Sequence, residues 1–583
     1  MNFLGKGDLF LNKILVIGLD GATWALLQEW IDENQLPHLA RLQREGISAV
    51  LRSTIPPITS AAWAAFATGK EPSNTGVFDF YYREKGTYKV RATTRVEVDG
   101  VSLWGRLSQL GKRSILVNVP MTFPAERELN GLMITGIPTP DILSEGSTCP
   151  ANLFETFHFD KSRYRITLRL PEYADRYADL IDDLKRMEAE RLHVAKTLIQ
   201  EPWDLFIVHF FGTDVVQHAL WKFIDPNHPQ YQIENGPTFR QHVIDFFVGI
   251  DRAIGELLQK IDVDHTTIFV LSDHGFGPNH FSVHINQWLK EIGMLKLHPE
   301  LITLGQEVSR ILIARAGLSK EGLPARILHG LASIPGNVLP STWQNLLTRV
   351  ARKRLSGFPR WSALLSQRGY EAVFKAVDWE KTLAYSIGTS GLIYINLKGR
   401  EPRGSVSPGK EYEKVRDSLA NALLSLRSDC GKALVDRVYR KEEIYHGKLL
   451  ASAPDLIPIC ESVGCYFYPF LDREKIVTEA ESFRSGNHRL DGILMAKGPA
   501  VRKHDRLCWA RLIDVAPTIL YLLGLVISSD MDGTVMSQIL EPEYTEKHAI
   551  AVAESSGVVQ ELQQITPEDQ KQMAEKLKDL GYL

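Results

Sequence analysis

The chain has 583 residues, of which 44% are hydrophobic and 23% charged, with a formal net charge of −3. A balance this close to neutral excludes a global attraction to nucleic acid or to anionic lipid, and the length is enough to bury a large core. No apolar run reaches the roughly 18 residues of a spanning helix, and the five cysteines Cys149, Cys430, Cys460, Cys465 and Cys508 are scattered without a CxxC pair. That usage points to a reducing compartment and to no thiolate metal site. The expectation is a cytoplasmic protein without a transmembrane segment or specific nucleic-acid binding.

Lys13 to Leu19 (KILVIGL) is a β-branched apolar run ending in Asp20-Gly21, and Ala22 to Ile31 then has helical character. Strand, turn and helix in that order open a doubly wound sheet. Similar strands are expected at Ser114 to Val119, Leu205 to His209, Thr267 to Leu271, Leu392 to Asn396 and Gly492 to Ala496, with helical segments between. The expected fold is α/β: a mainly parallel sheet with helices on both faces. Residues 287–375 differ, with amphipathic patterns broken by Gly317, Pro324, Pro335, Gly336 and Pro340, and read as an inserted helical lid. Its Arg349, Arg352, Lys353, Arg354 and Arg360 form a local basic cluster, which is a solvated helix face or a contact for an anionic surface. The insertion would split the catalytic core into residues 1–286 and 376–545. Residues 546–583 complete the chain, with Thr566-Pro567-Glu568-Asp569 capping a structural tail helix that Gly581 closes.

Chemistry-bearing residues recur where these strands give way to loops, the edge at which open α/β sheets bind ligands. Asp20 is a carboxylate at such an edge, although Asp-Gly is also a common turn. Asp214 and His218 are four apart, so one helical turn would set an oxygen and a nitrogen ligand on one face. Asp273 and His274, in LSDHGFG, are adjacent ligand types at a strand end and can serve two different metals. His488 lies in the glycine-containing loop Ser485 to His488, just before the strand at Gly492. Thr59 follows Pro56-Pro57-Ile58 and precedes a small alanine-rich segment, which presents it at a helix N-terminus, where free N–H groups and the dipole favour a phosphoryl group. Ser60 can fill either the nucleophile or the cap role. Lys70, Asn118, His280 and His284 stand close enough to these motifs to be candidate substrate contacts, and the aromatic run Phe78 to Tyr82 could stack a base or pack the core.

Taken in order, the strand ending Asp20-Gly21, the segment Thr59 to Gly69, Asp214-x-x-x-His218, Ser272-Asp273-His274-Gly275, the His488 loop and Asp514-Val515-Ala516-Pro517-Thr518 resemble the type I phosphodiesterase/nucleotide pyrophosphatase family of the alkaline phosphatase superfamily. The resemblance covers nearly the whole chain. It implies that Asp214, His218 and His488 hold one zinc-like ion and that Asp20, Thr59, Asp273 and His274 hold the other, with manganese the alternative to zinc. It also implies cleavage of small phosphodiesters or nucleotide pyrophosphates through a phosphothreonine at Thr59. The nucleophile segment lacks the Cys-x-Pro-x-Arg pattern of sulfatases. Nucleotide pyrophosphatases of the family it resembles carry an asparagine three residues after the nucleophile that helps bind a phosphoryl oxygen; here that position is Ala62, so this stabiliser comes from elsewhere or is absent, and nucleotide specificity does not follow from the family. Phosphomonoester or phosphonate hydrolysis, phospho-group transfer within the same superfamily, and a non-catalytic lipid- or partner-binding module are the competing readings.

Overall fold

The computed structural model describes residues 13–173, 176–298, 370–471, 475–481, 483–554 and 562–582. The body of the expected helical insertion, with its basic cluster from Arg349 to Arg360, lies outside the described residues.

A nine-stranded sheet forms the centre. Its strands, numbered in chain order, are β1 (Lys13–Leu19), β2 (Ile47–Arg52), β3 (Ser114–Val119), β4 (Gly131–Thr135), β5 (Thr148–Cys149), β6 (Leu205–Phe210), β7 (Thr266–Leu271), β8 (Asp491–Lys497) and β9 (Asp505–Arg511). They lie in the order β9-β2-β8-β7-β1-β6-β3-β4-β5. Strands β7, β1, β6, β3 and β4 run parallel, as do β2 and β9. Strands β1, β3, β6 and β7 are apolar and buried on both faces, which is what helices on either side of a parallel sheet require. The helices that matter for the site are α1 (Trp24–Asp32), α2 (Thr59–Thr68), α3 (Tyr177–Leu198), α4 (Gly212–Ile224), α5 (Gly236–Leu258) and α6 (Pro567–Asp579).

Two sequence expectations need correction. The strand expected at Leu392 to Asn396 is Ile393–Ile395, and it belongs to a separate four-stranded sheet with Ala384–Ser386, Leu456–Ile459 and Arg437–Arg440. Burial on both sides gives such a strand the same apolar signature as one in the main sheet, so composition does not distinguish them. The strand expected at Gly492 to Ala496 is β8, and it runs antiparallel to both β7 and β2. This reversal matters, because β8 begins at the edge where its neighbours end. A residue placed just before β8 therefore reaches the same edge as residues placed just after β1, β6 and β7.

Among the described residues no helix is long and apolar enough to cross a membrane. Their five cysteines are all free.

Candidate active site

The carboxyl edge of the three central strands carries the site. Asp20 follows β1, Asp214 lies in the first turn of α4 just after β6, and Asp273 and His274 follow β7. All four are buried. The turn at Gly21 has φ +63°, and a Cβ there would sit 2.7 Å from the Phe276 ring, so this position needs glycine on both counts. The Gly21 N–H donates to Asp273 Oδ1 at 3.2 Å, which ties the first acid to the third. From α4, Thr213 Oγ1 donates to the Asp20 carbonyl at 2.7 Å and the Gln217 amide donates to the Gly21 carbonyl at 2.9 Å. The start of α4 is itself held by α3, where Glu188 accepts from the Gly212 N–H at 2.6 Å.

His488 is not in a loop, as the sequence suggested, but in a short strand, Gly486–Arg489, paired antiparallel with Gly275–Pro278. Glycines and polar residues hid this strand from an apolar-run reading. The pairing sets Phe276 opposite His488 and leads directly into β8.

Two groups of ligand-type atoms result. In the first, His218 Nε2 lies 2.9 Å from His488 Nε2 and 3.4 Å from Asp214 Oδ1, and His488 Nε2 lies 3.2 Å from the same oxygen. In the second, His274 Nε2 lies 3.2 Å from Thr59 Oγ1, 3.5 Å from Asp20 Oδ1 and 3.3 Å from Asp273 Oδ2. The two groups adjoin, because the His274 and His488 rings stack with centroids 3.7 Å apart. His274 Nε2 is also within reach of Asp214, which makes it common to both.

Each of the three imidazoles meets a backbone carbonyl through Nδ1: His218 with Gly486 at 2.8 Å, His488 with Pro57 at 3.0 Å and His274 with Gly275 at 3.1 Å. A carbonyl only accepts, so each Nδ1 carries the hydrogen and each Nε2 turns a lone pair inward. Burial depresses all three imidazoles, His274 to about 4 and His488 to about 3, which keeps them neutral. Three carboxylates face these lone pairs. Burial, and then the charges of Asp273 and Asp214, push Asp20 well above the usual carboxylate range; burial raises Asp273 and takes Asp214 to about 7. Both Asp20 oxygens and Asp273 Oδ2 lack a hydrogen-bond donor of good geometry. Converging lone pairs and buried anions repel one another, and only a cation between them reverses the sign of that interaction. The donor set, mixed imidazole nitrogen and carboxylate oxygen, fits borderline divalent ions such as zinc or manganese.

Thr59 is the first residue of α2, whose ten residues are all buried. Alanines at 61, 62, 64, 65 and 67 give this helix a slim profile, which allows it to be enclosed completely. Its first N–H groups have no carbonyl partner within the helix, the arrangement that favours an anion at a helix N-terminus. Ser60 follows, buried and with its hydroxyl unpartnered.

The remaining candidates have other surroundings. Lys70 pairs with Asp530 at 2.7 Å. His280 rests against the His228 ring, with centroids 5.3 Å apart, and His284 stacks on Tyr468. Asn118 lies within β3 rather than after it, at φ +61° and at the register shift in the pairing with β4, with both side-chain polar atoms unpartnered. Its backbone reaches His209.

Three residues in or around the site escaped the sequence reading. His209, in the apolar strand β6 opposite Gly18 of β1, places Nε2 2.9 Å from Asp20 Oδ2, behind that carboxylate. A histidine inside an otherwise apolar strand was the available signal. Arg484 is buried, donates to the Leu580 carbonyl and stacks on Tyr466; its charge helps depress His218 and His488. Tyr582, from the segment after α6, lies among the residues of a cleft that also includes Pro57, Thr389, Tyr466, Arg484 and His488. The segment read as purely structural thus reaches the site.

A family model described as type I phosphodiesterase / nucleotide pyrophosphatase matches residues 14–326. No curated protein matches the sequence. Among solved structures the chain is similar to an inactive form of murine ectonucleotide pyrophosphatase / phosphodiesterase 5 in complex with AMP, at 14% identity over 91% of this chain and 100% of that one, with a TM-score of 0.48. The human ectonucleotide pyrophosphatase / phosphodiesterase 5 gives 14% identity over 88% and 96%, with a TM-score of 0.45. Phosphonoacetate hydrolase from Sinorhizobium meliloti 1021, in complex with phosphonoacetate, gives 13% identity over 88% and 95%, with a TM-score of 0.47.

Proposed function

Given that the chain belongs to the type I phosphodiesterase / nucleotide pyrophosphatase family, we propose that it cleaves phosphodiesters or nucleotide pyrophosphates with Thr59 as nucleophile and two divalent metal ions, zinc or manganese, as cofactors. Asp214, His218 and His488 would hold one ion, and Asp20, Thr59, Asp273 and His274 the other. The observation that carries this reading is the clustering of three inward lone pairs and three buried carboxylates in two adjoining groups, one of which meets the Thr59 hydroxyl through His274, with no Lys or Arg of the described residues ion-paired to those carboxylates. When bound, such ions supply positive charge that lowers the pKa of the Thr59 hydroxyl and stabilises the departing oxygen.

The chain's own groups do the rest. Thr59 Oγ1 attacks phosphorus in line as the bond to the leaving oxygen breaks, and water then displaces the threonine in a second step. The N-terminus of α2 offers backbone N–H groups and its dipole to the phosphoryl oxygens. His209 packs against Asp20 from behind, and the carbonyls of Gly275, Gly486 and Pro57 fix the tautomers of the three histidines. A cytoplasmic setting is supported by five cysteines that are all free.

The test is hydrolysis of bis-p-nitrophenyl phosphate against p-nitrophenyl phosphate by metal-stripped protein with zinc or manganese restored, beside Thr59→Ala. Metal-dependent diester cleavage that falls on the order of 1,000-fold or more in Thr59→Ala is the expected result. Activity that survives in Thr59→Ala would move the nucleophile to Ser60 or to water, and preference for the monoester would change the substrate class.

A further inference from the structure

The turn after α6 is built to a fixed shape. Gly581, at φ +81°, closes the helix, and the Tyr582 N–H donates back to the Leu577 carbonyl at 2.8 Å. Two buried side chains then clamp this turn from outside. Arg484 donates to the Leu580 carbonyl at 3.1 Å, and the Tyr466 hydroxyl donates to the Gly581 carbonyl at 2.5 Å. A Cβ at position 581 would lie 2.6 Å from Arg484 Nε, so only glycine lets the clamp close.

The clamp aims Tyr582 inward. Its ring packs on Phe80 with centroids 4.4 Å apart and lies 6.3 Å from the His488 ring. The side chain is 2% exposed. Its hydroxyl has no hydrogen-bond partner of good geometry, and the groups that face it are Thr59, Asp214 and Asp20. A buried hydroxyl left without a partner costs stability and needs an explanation. A phenol is a donor at neutral pH. A donor within reach of the nucleophile's own hydroxyl, but in no hydrogen bond of good geometry with it, is free to turn to an acceptor that arrives with the substrate. On the helix that bears Thr59, position 62 is alanine and offers no amide, which leaves the Ser60 hydroxyl as that helix's other free donor.

We propose that Tyr582 is a further catalytic residue of this site, its hydroxyl donating a hydrogen bond to a non-bridging phosphoryl oxygen of the substrate as Thr59 attacks. The proposal rests on the phosphoryl-transfer reading above. No bond to hydrogen breaks at Tyr582; the O–H stays covalent, and the hydrogen bond strengthens as charge builds on the oxygen.

The experiment compares zinc-loaded wild type, Tyr582→Phe, Tyr466→Phe and Thr59→Ala for hydrolysis of bis-p-nitrophenyl phosphate, with inhibition by vanadate and by inorganic phosphate measured on each active protein. Vanadate adopts the five-coordinate geometry of the transition state and phosphate does not. Tyr582→Phe keeps the ring on Phe80, and the expected result is a kcat roughly 10- to 100-fold lower with KM changed by no more than about twofold. Vanadate inhibition should weaken by a similar factor while phosphate inhibition holds. Tyr466→Phe removes a clamp on the turn but no group that faces Thr59, and should lose less than about threefold. Wild-type kcat and vanadate inhibition in Tyr582→Phe would overturn the proposal, as would equal losses in both variants with lowered melting temperatures. If Tyr582→Phe melts lower, the vanadate-to-phosphate ratio, internal to each sample, still decides. Turnover lost in Thr59→Ala but intact in Tyr582→Phe removes only the tyrosine's role. A wild type that turns over neither the diester nor the monoester removes the phosphoryl-transfer reading and this proposal together.

Discussion

Asp20 and Asp455 are both wholly buried aspartates, and they end in opposite electrostatic states. Asp455 sits in the smaller four-stranded sheet. It accepts from Arg400 at 2.6 and 2.9 Å, from Lys441 at 2.9 Å, from the Tyr412 hydroxyl at 2.8 Å and from the Ile395 N–H at 2.7 Å. Burial alone would push its pKa up, but the hydrogen bonds and charge of Arg400, with the charge of Lys441, outweigh that and hold it below the usual range. Asp20 has the same burial, two further carboxylates instead of cations around it, and a pKa pushed well up. One cluster is neutralised by the chain's own side chains. The other is left crowded, its acids pushed toward their protonated forms, and ionises fully only with positive charge from outside. That difference separates a structural buried acid from a functional one more sharply than burial does.

The comparison breaks most visibly at Asp455. Asp455→Ala leaves the buried Lys441 without its carboxylate and Arg400 with Glu401 alone, and is expected to cost about 3 kcal/mol, read as a shift of the urea midpoint at unchanged slope. Asp20→Asn in metal-free protein removes an acid from a repelling cluster and should cost nothing or stabilise. Equal losses in the two variants would mean that Asp20 has a partner the geometry does not reveal.

Metal addition gives the next effect. Zinc or manganese at a hundred times its dissociation constant should stabilise the wild type by about 2.7 kcal/mol, because only the folded state assembles the ligands. EDTA should reverse the rise in melting temperature, and Asp20→Asn should lose most of it. A rise of the same size in Asp20→Asn would place the binding somewhere other than this cluster.

How much of this was legible in the sequence follows from which feature each residue depended on. Asp20, Asp214, Asp273 and His274 stand at the ends of apolar strands or one turn into the following helix, so strand periodicity alone located them. The family resemblance rested on those positions together with the Thr59 segment, His218, the His488 loop and Asp514 to Thr518. His488 depended on the direction of β8, and direction leaves no mark on a strand buried on both faces; antiparallel entry is what brings a residue from before the strand to the shared edge. His209 was invisible because its partner, Asp20, is 189 positions away and its neighbours are uniformly apolar. Tyr582 was hidden for a different reason. The capping box at Thr566 and Asp569 announces the helix, but nothing in its local pattern says where the turn after it docks, which is decided by Arg484 and Tyr466 far back in the chain.

The smallest expected effect tests a third buried aspartate, intermediate between the first two. Asp79 has neither the cations of Asp455 nor the crowding acids of Asp20. Its Oδ2 accepts from the Thr389 N–H and the Ser390 hydroxyl, each at 3.2 Å, and its Oδ1 has no partner. Burial outweighs those hydrogen bonds and raises its pKa to about 7. The folded protein therefore holds this proton more tightly than the unfolded chain, whose aspartates titrate near 3.9. The stability that goes with the proton is fully present below the unfolded value and is lost as pH rises through about 7. Asp79→Asn keeps an acceptor for both donors and cannot ionise, so it should melt above the wild type at pH 8 and close to it at pH 5. The gap between the two pH values is expected to be on the order of 1 kcal/mol, smaller than the bare shift implies because buried sites relax around a charge. A gap that closes with rising pH, or a variant destabilised equally at both, would show that Asp79 is neutralised by a cation after all and belongs with Asp455.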